Sequence, residues 1–283
     1  MQKVGVALSG GGAKGFAHIG FLKALEENGL YPDIVTGTSM GGILGGFYAY
    51  GISPSMMENF VSNMDVNMFL EKQGSLSRFF SQGKEKRLFR YARAGIAMRS
   101  LLSDKPVDSG RKIRNFIYMV TGDADFSKLK IPFACIAVDI ISGSKITFTE
   151  GKLADALYAT MALPPFLEPL RYKDMILVDG GAVDNIPVDA ARELGATKVI
   201  GVNVNERGSQ KREEYKNSLE ILFRMYDLMS EAFYKTLLLK SDLPIEVEVD
   251  ADLLDFGKAR ESIKKGEEAV KSNISLIKSL WES

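Results

Sequence analysis

The sequence contains one histidine and one cysteine, and these shortages exclude several kinds of site. A lone cysteine, Cys135, cannot form a disulfide within the chain or a metal cluster built on cysteine. The 36 basic and 36 acidic residues cancel, so net charge gives no reason to expect nucleic-acid binding. No apolar run reaches the roughly 18 residues of a membrane span, and residues 4–9 are too short for a signal peptide. We therefore expect a protein of the reducing cytoplasm.

Two successive strand–turn–helix units open the chain. An apolar run, residues 4–8, leads through glycines into a predicted helix over residues 16–28. A second apolar run, residues 34–36, leads into a turn at residues 37–41 and a helix that ends before Gly51. Successive units of this kind indicate a mainly parallel sheet covered by helices, so the predicted fold class is α/β.

Further elements are predicted in the rest of the chain. The apolar and β-branched runs predict strands over residues 133–139, 145–149, 176–178, 198–203 and 245–249, and the apolar spacing predicts helices over residues 155–161 and 219–240. The last of these helices carries an apolar stripe that we expect to dock on the core. The stripe consists of Leu222, Tyr226, Met229, Phe233 and Leu237.

The segment from residue 71 to residue 114 differs from its surroundings in charge. It contains 12 Lys or Arg against 4 Asp or Glu, interleaved with aromatic residues. We interpret it as a variable basic insertion. Two hypotheses stay open: a lid that meets anionic phospholipid, where each basic side chain contributes on the order of 1 kcal/mol, or a solvated loop.

The turn at residues 37–41 matches the pattern G-x-S-x-G. In this pattern a serine occupies a sharp strand-to-helix turn, and small neighbours relieve crowding of the strained backbone. Ser39 is therefore a candidate nucleophile, but the pattern also occurs in plain turns, so both interpretations stay open on the pentapeptide alone. A serine hydroxyl needs a base, and the usual base is a histidine held by a carboxylate.

The base is assigned by comparing two residues. His18 precedes Ser39 and lies within a predicted helix, whereas the order in α/β-hydrolases is serine, acid, histidine. We interpret it as a packed or partly exposed helical residue, and a role as base from its helix stays open. Asp179 directly follows an apolar strand and precedes Gly180 and Gly181. A positioned aspartate can act as a base despite its low pKa, but Asp-Gly is also a common turn signal, so both interpretations stay open.

A glycine loop lies between the first strand and the first helix. The backbone N–H groups of Gly10, Gly11 and Gly12 are candidates for an oxyanion hole, Gly11 and Gly12 foremost, with the helix dipole adding to the field. Lys14 either adds positive potential or braces the loop.

The segments Gly10 to Gly15, Gly37 to Gly41 and Asp179 to Gly181 together resemble the signature blocks of the patatin-like phospholipase family, in the family's order. The resemblance implies a three-layer α/β/α fold and a Ser39–Asp179 dyad that hydrolyses lipid acyl esters without metal or organic cofactor. It also assigns supporting roles to Lys14, Gly15, Gly37, Met40, Gly41, Gly180 and Gly181.

The resemblance extends over residues 3–205 and includes a further family segment at residues 159–166, where Thr160 replaces a serine. We expect this replacement to touch no catalytic group. The tail around Asp255-Phe256 is similar to bacterial members related to the neuropathy-target-esterase branch. We therefore expect a catalytic domain over residues 1–205 and a helical extension, residues 206–283, packed on it. The implied partner is a lipid ester, reached by peripheral membrane contact.

Two alternatives stay open. Gly10, Gly12 and Gly15 also satisfy G-x-G-x-x-G, but a dinucleotide-binding domain needs an acidic residue at the end of the second strand, and Asp33 stands at its beginning. The other alternative is a lipid-binding module that keeps the fold without turnover, since fold does not imply function.

Overall fold

The computed structural model describes residues 2–63, 109–164, 166–205, 218–251 and 255–282; within residues 218–227 it places only the side chains of residues 221 and 225. The predicted basic insertion lies outside the described residues as far as residue 108. In the described ranges the helices are α1 (Ala17–Glu27), α2 (Met40–Tyr50), α3 (Pro54–Asn63), α4 (Arg111–Thr121), α5 (Leu153–Met161), α6 (Val188–Glu193), α7 (Ser218–Leu238) and α8 (Ala259–Glu282).

The described strands form one eight-stranded sheet. They are β1 (Val4–Leu8), β2 (Ile34–Thr38), β3 (Phe133–Asp139), β4 (Ser144–Phe148), β5 (Leu170–Tyr172), β6 (Met175–Asp179), β7 (Lys198–Asn203) and β8 (Leu243–Glu246). The core of the sheet is parallel: β1 pairs with β2 and β7, β2 pairs with β3, and β7 pairs with β8. The strands β4, β5 and β6 add antiparallel pairs.

Strand β3 has different neighbours along its length. Residues 135–139 pair with β4 on one side. On the other side, residues 133–136 pair with β2 and residues 137–139 pair with β6. Since β2 is parallel to β3 and β6 is antiparallel to it, β2 and β6 run toward each other along the same side of β3.

Helices cover both faces of the sheet, and side chains alternate between the faces with a period of two. Val6 and Leu8 of β1 belong to the larger core cluster, together with side chains of α1, α2, α5 and α8. Ala7 belongs to the opposite face, where it packs with α6 and the end of α7. The predicted three-layer α/β/α fold is thus confirmed.

Several predicted boundaries need correction. The first helical turn is a 3-10 helix, Gly12–Phe16, before α1, and β8 begins at Leu243 rather than Ile245. Of the stripe residues whose side chains the structure describes, Leu237 is buried, but Met229 is 70% exposed and Phe233 is 37% exposed. Leu222 and Tyr226 lie outside the described side chains. No helix in the described ranges combines the length and the apolarity needed to cross a bilayer.

The C-terminal helix α8 packs closely against α1. A Cβ atom on Gly20 would lie 1.8 Å from the carbonyl oxygen of Ile263, and a Cβ atom on Gly266 would lie 1.8 Å from that of Ala17. The contact ends in an ion pair, in which Lys23 Nζ lies 2.9 Å from Glu267 Oε1. Only glycine permits this approach, and we propose that the extension and the sheet therefore fold as one unit.

We predict that Gly266→Ala destabilises the protein, although alanine normally favours a helix over glycine by about 1 kcal/mol. The added methyl group must push α8 away from α1, which we expect to lower the free energy of unfolding by about 1–3 kcal/mol. Urea denaturation followed by circular dichroism measures the change.

Gly257→Ala is the matched control, because among the described residues a Cβ atom there meets only Asp255 Oδ1, at 3.7 Å. Equal stability of the Gly266→Ala variant and the wild type would show that the close packing of α8 on α1 is wrong.

Candidate active site

The residue that follows β2, Ser39, has a strained backbone. Its φ is 55° and its ψ is −125°, directly before α2 begins at Met40. Among the described non-glycine residues, only Lys173 also has a positive φ. Such backbone conformations are unfavourable and cluster at functional sites. The predicted strand–serine–helix turn is therefore present.

The glycines beside Ser39 are required by close backbone contacts. A Cβ atom on Gly37 would lie 2.3 Å from the carbonyl oxygen of Gly41, and a Cβ atom on Gly41 would lie 2.4 Å from that of Leu8. Met40 packs over the glycine loop, since a Cβ atom on Gly15 would lie 2.4 Å from its Cγ. The turn is thus wedged between β1 and α2 with no space for larger residues.

Thr160 contacts Ser39, the candidate nucleophile, which sequence reasoning did not anticipate. Its hydroxyl accepts a hydrogen bond from the backbone N–H of Ser39, at 3.0 Å, and donates one to the carbonyl of Ile136, at 2.6 Å. Thr160 therefore fixes the backbone of Ser39 to β3. A serine at this position has the same hydroxyl group, so the replacement of the family's serine by threonine keeps the group that forms both hydrogen bonds.

Asp179, the last residue of β6, faces Ser39. The side chain of Ser39 forms a hydrogen bond with the Asp179 carboxylate, and the Gly181 N–H donates to Asp179 Oδ1 at 2.8 Å. The carboxylate is buried, and its backbone N–H donates to the carbonyl of Ala162 at 3.0 Å. Gly180 is needed here because a Cβ atom would lie 2.4 Å from the Ile136 carbonyl oxygen.

Burial is the main influence on the pKa of Asp179. It raises this pKa from 3.8 to about 6, and the hydrogen bonds from Ser39 and Gly181 offset part of the rise because they favour the charged form. A carboxylate whose pKa lies closer to neutrality is a better proton acceptor than an ordinary exposed aspartate.

The glycine loop is held in place from both sides. The Gly10 N–H donates to the Asn185 carbonyl at 3.2 Å, and the Gly10 carbonyl accepts from Asn205 Nδ2 at 2.7 Å. Gly12 has a φ of 54°, a conformation that favours glycine. Among the described residues, none accepts a hydrogen bond from the N–H of Gly11 or Gly12. Because the Gly10 N–H is already used, Gly11 and Gly12 are the two of the three candidate glycines whose N–H groups stay available.

Sequence reasoning missed the loop at residues 184–187, which connects β2 to the glycine loop. Thr38 Oγ1 donates to the Asp184 carbonyl at 2.7 Å, and Thr36 Oγ1 donates to the Pro187 carbonyl at 2.9 Å. With the Gly10 contact to Asn185, this loop joins the two segments that flank Ser39. No short-range pattern in the sequence marks it, because each contact spans more than a hundred residues.

His18 is a packed helical residue, as the sequence indicates. It is fully buried, and Nε2 donates to the Ser9 carbonyl at 2.8 Å, while Nδ1 has no partner among the described residues. Burial lowers the pKa of His18 to about 4, so the ring is neutral at pH 7. Its hydrogen bonding is to the glycine loop and not to Ser39. Lys14 is likewise buried beside this loop, and its role stays a prediction.

The geometry also bears on the dinucleotide alternative. The carboxylate of Asp33 accepts a hydrogen bond from the Val4 N–H at 2.8 Å, at the beginning of β2. The end of β2, where a ribose-binding acid would stand, is occupied by the turn at Ser39. The residues that bind a ribose in such proteins are thus not in place.

The fold and the turn define an α/β/α protein with a strained serine at the end of a central parallel strand, next to a buried aspartate. The family model for "Patatin-like phospholipase" matches residues 6–192. The chain belongs to the patatin-like phospholipase family. The resemblance that the three glycine-containing segments indicate is thereby confirmed.

Relatives and solved structures agree with this assignment. The chain is similar to "Neuropathy target esterase sws" of Drosophila melanogaster, with 28% identity over 80% of this chain and 14% of that protein. It is 28% identical to an "Uncharacterized NTE family protein" of Mycobacterium tuberculosis, over 82% of this chain and 58% of the relative. The structure of VipD from Legionella pneumophila has a TM-score of 0.55 and 14% identity, and the match covers 98% of this chain and 67% of that one. The chain therefore spans only part of the length of these two curated relatives.

We predict that Asp179→Asn stabilises the protein at pH 8. The raised pKa means that the folded state binds a proton more tightly than the unfolded state, so the wild type loses stability as the pH rises from about 4 through about 6. Asparagine has no charge to bury. We expect the variant to gain up to about 3 kcal/mol at pH 8 and little at pH 4, measured by urea denaturation at both values.

Asp139→Asn is the control with the opposite sign. Hydrogen bonds, first of all from Ser142, lower the pKa of Asp139 from its ordinary 3.8, so its charged form stabilises the fold at pH 8 and at pH 4, and its removal should destabilise the protein at both values. If Asp179→Asn behaved like Asp139→Asn, the ionised Asp179 would be stabilised in the fold and the assigned direction of its pKa would be wrong.

Proposed function

We propose that the chain is a serine acyl-ester hydrolase that acts on lipid esters. In this proposal Ser39 is the nucleophile, Asp179 is the base, and the N–H groups of Gly11 and Gly12 bind the oxyanion. The single observation that carries the proposal is the hydrogen bond between the strained Ser39 side chain and the buried Asp179 carboxylate.

Each step of the proposed reaction uses one of these groups. Ser39 Oγ attacks the acyl carbonyl carbon while its proton passes to Asp179, and the carbonyl electron pair moves to the oxygen. The unused N–H groups of Gly11 and Gly12 stabilise that oxyanion. Collapse of the intermediate expels the alcohol, which takes the proton from Asp179. Water then repeats the sequence and releases the acid.

A hydrogen bond to an aspartate is not sufficient to activate a serine, and the chain provides the comparison. Ser142 Oγ donates to Asp139 Oδ2 at 2.7 Å, but the pKa of Asp139 is lowered and Ser142 lies on an exposed turn. Asp179 differs because burial raises its pKa. Activation therefore depends on the buried carboxylate and the strained turn together.

Lipid esters are the proposed substrates because the family is named for its phospholipases and one relative is named an esterase. We also propose a cytoplasmic location with peripheral contact at a membrane surface. The basic segment that the sequence assigns to this contact, residues 71–114, lies outside the described residues up to residue 108. The lid hypothesis for that segment stays a prediction.

The nucleophile is tested with a fluorophosphonate, which reacts with activated serine hydroxyls. We expect one adduct per chain on Ser39, located by peptide mass spectrometry, and none on Ser142. Ser39→Ala and Asp179→Asn should each abolish ester hydrolysis, because each removes a reacting group. Ser142→Ala, which removes the comparison serine, should leave turnover unchanged.

His18→Gln keeps a donor for the Ser9 carbonyl and should reduce turnover less than tenfold. Complete loss of turnover in a folded His18→Gln variant would overturn the dyad. The absence of any adduct on Ser39, with and without lipid vesicles, would instead favour a binding module without turnover.

The pH dependence of kcat/KM tests the base. Because Asp179 must be ionised to accept the proton, we expect kcat/KM to fall as the pH drops below about 6, approaching tenfold per pH unit. An uncharged ester such as p-nitrophenyl butyrate keeps substrate titration out of the profile, and circular dichroism at each pH checks the fold. A profile that stays flat down to pH 4.5 would contradict a base with a raised pKa.

A further inference from the structure

Asn185 lies six residues after Asp179, in the loop before α6, and its side chain is 3% exposed. Its amide nitrogen, Nδ2, is buried and has no hydrogen-bond partner among the described residues. An unpaired buried donor destabilises a fold, whereas a leucine of nearly the same shape would fill the space without that penalty. Packing alone therefore does not explain an amide at this position.

The Asn185 amide lies between the proposed nucleophile, Ser39, and the proposed base, Asp179. The position that a Cβ atom on Gly10 would take lies 2.6 Å from Asn185 Oδ1 and 3.0 Å from Ser39 Cβ. The position that a Cβ atom on Gly181 would take lies 3.0 Å from the same oxygen and 3.1 Å from Asp179 Oδ1. Two glycines thus leave space that the Asn185 amide shares with both residues.

The electrostatics of this space favour the nitrogen end of the amide once negative charge is present. An ionised Asp179 and a nearby oxyanion both repel an amide oxygen and attract an amide N–H. A half-turn about the last side-chain bond exchanges Oδ1 and Nδ2, and Nδ2 gives up no hydrogen bond when it turns. The amide can therefore present a donor to the reacting atoms.

We propose that the Asn185 amide is a further oxyanion donor of this site, in addition to the N–H groups of Gly11 and Gly12. The inference rests on the proposed function. As Ser39 Oγ bonds to the acyl carbon and its proton passes to Asp179, the carbonyl electron pair moves to the oxygen, and Asn185 donates a hydrogen bond to that oxygen. The backbone carbonyl of Asn185 accepts the hydrogen bond from the Gly10 N–H at the same time. In this proposal one residue therefore positions the glycine loop with its backbone and binds the oxyanion with its side chain.

The test compares Asn185→Leu with the wild type, because leucine keeps the shape and removes the donor. We expect kcat for p-nitrophenyl butyrate to fall by about 10²-fold, the usual effect of removing one oxyanion donor, while KM changes by less than threefold. Thermal denaturation should show that the variant is at least as stable as the wild type, since an unpaired buried donor has been removed.

A long-chain trifluoromethyl ketone tests the stabilisation of the oxyanion directly. The Ser39 hydroxyl adds to the ketone carbonyl and forms a tetrahedral hemiketal anion. Asn185→Leu should weaken the binding of the ketone at least tenfold. The affinity for the corresponding secondary alcohol, which forms no oxyanion, should change by less than threefold. Asn273→Leu is the matched control. Asn273 is a partly buried asparagine on α8, and its Nδ2 donates a hydrogen bond to the Ala269 carbonyl. It lies toward the end of α8 where Leu280 contacts Gln2.

The outcomes separate the two proposals. A wild type that neither hydrolyses the ester nor forms the hemiketal overturns the proposed function, and this inference with it. An active wild type with an equally active, ketone-binding Asn185→Leu variant overturns only the role of Asn185. Equal losses for the ketone and the alcohol would also overturn that role, because they would show a general effect on the pocket.

Discussion

The meeting of β2 and β6 along one side of β3 is the constraint from which the site follows. In a parallel sheet, functional residues gather where strands reach their carboxyl ends, and here two strands of opposite direction end at the same point. Ser39 follows one strand and Asp179 ends the other, so their side chains meet without a long loop. Glycines are needed at residues 37, 41 and 180 because the turns after β2 and β6 lie close together, and Cβ atoms there would overlap backbone carbonyl groups.

The same meeting point explains why Asp179 differs from the other aspartates near the sheet. Asp139 and Asp179 are both buried, but Asp139 accepts hydrogen bonds from Ile141, Ser142 and Ile176, and together they favour its charged form. Asp179 has two hydrogen bonds, and burial outweighs them. The ionised Asp179 carboxylate therefore lowers the stability of the fold at neutral pH. The strain at Ser39 is a second local conflict at the same place, as expected where function and stability compete.

The sequence supports the fold class, the position of each central strand and the turn at Ser39, because these depend on patterns within a few residues. The direction of β6 and its place opposite β2 could not be predicted, since both depend on pairing with β3. For the same reason Thr160 and Asn185 escaped notice: each acts on residues far away in the chain. The stripe on α7 was expected to dock on the core, but Met229 and Phe233 are exposed, because helical spacing indicates an apolar face and not what covers it.

The glycine loop shows why a motif must be interpreted through its contacts. Sequence reasoning explained these glycines by the N–H groups they expose, and the same pattern also fitted a dinucleotide site. In the structure, Gly10 leaves space for Asn185, Gly11 for Val204 and Gly15 for Met40, and Gly12 alone among them has a left-handed backbone. Three of these four glycines thus leave space for a side chain that is remote in sequence. A dinucleotide-binding loop with the same letters would need different neighbours, so the side chains that fill the space beside the glycines distinguish the two kinds of site.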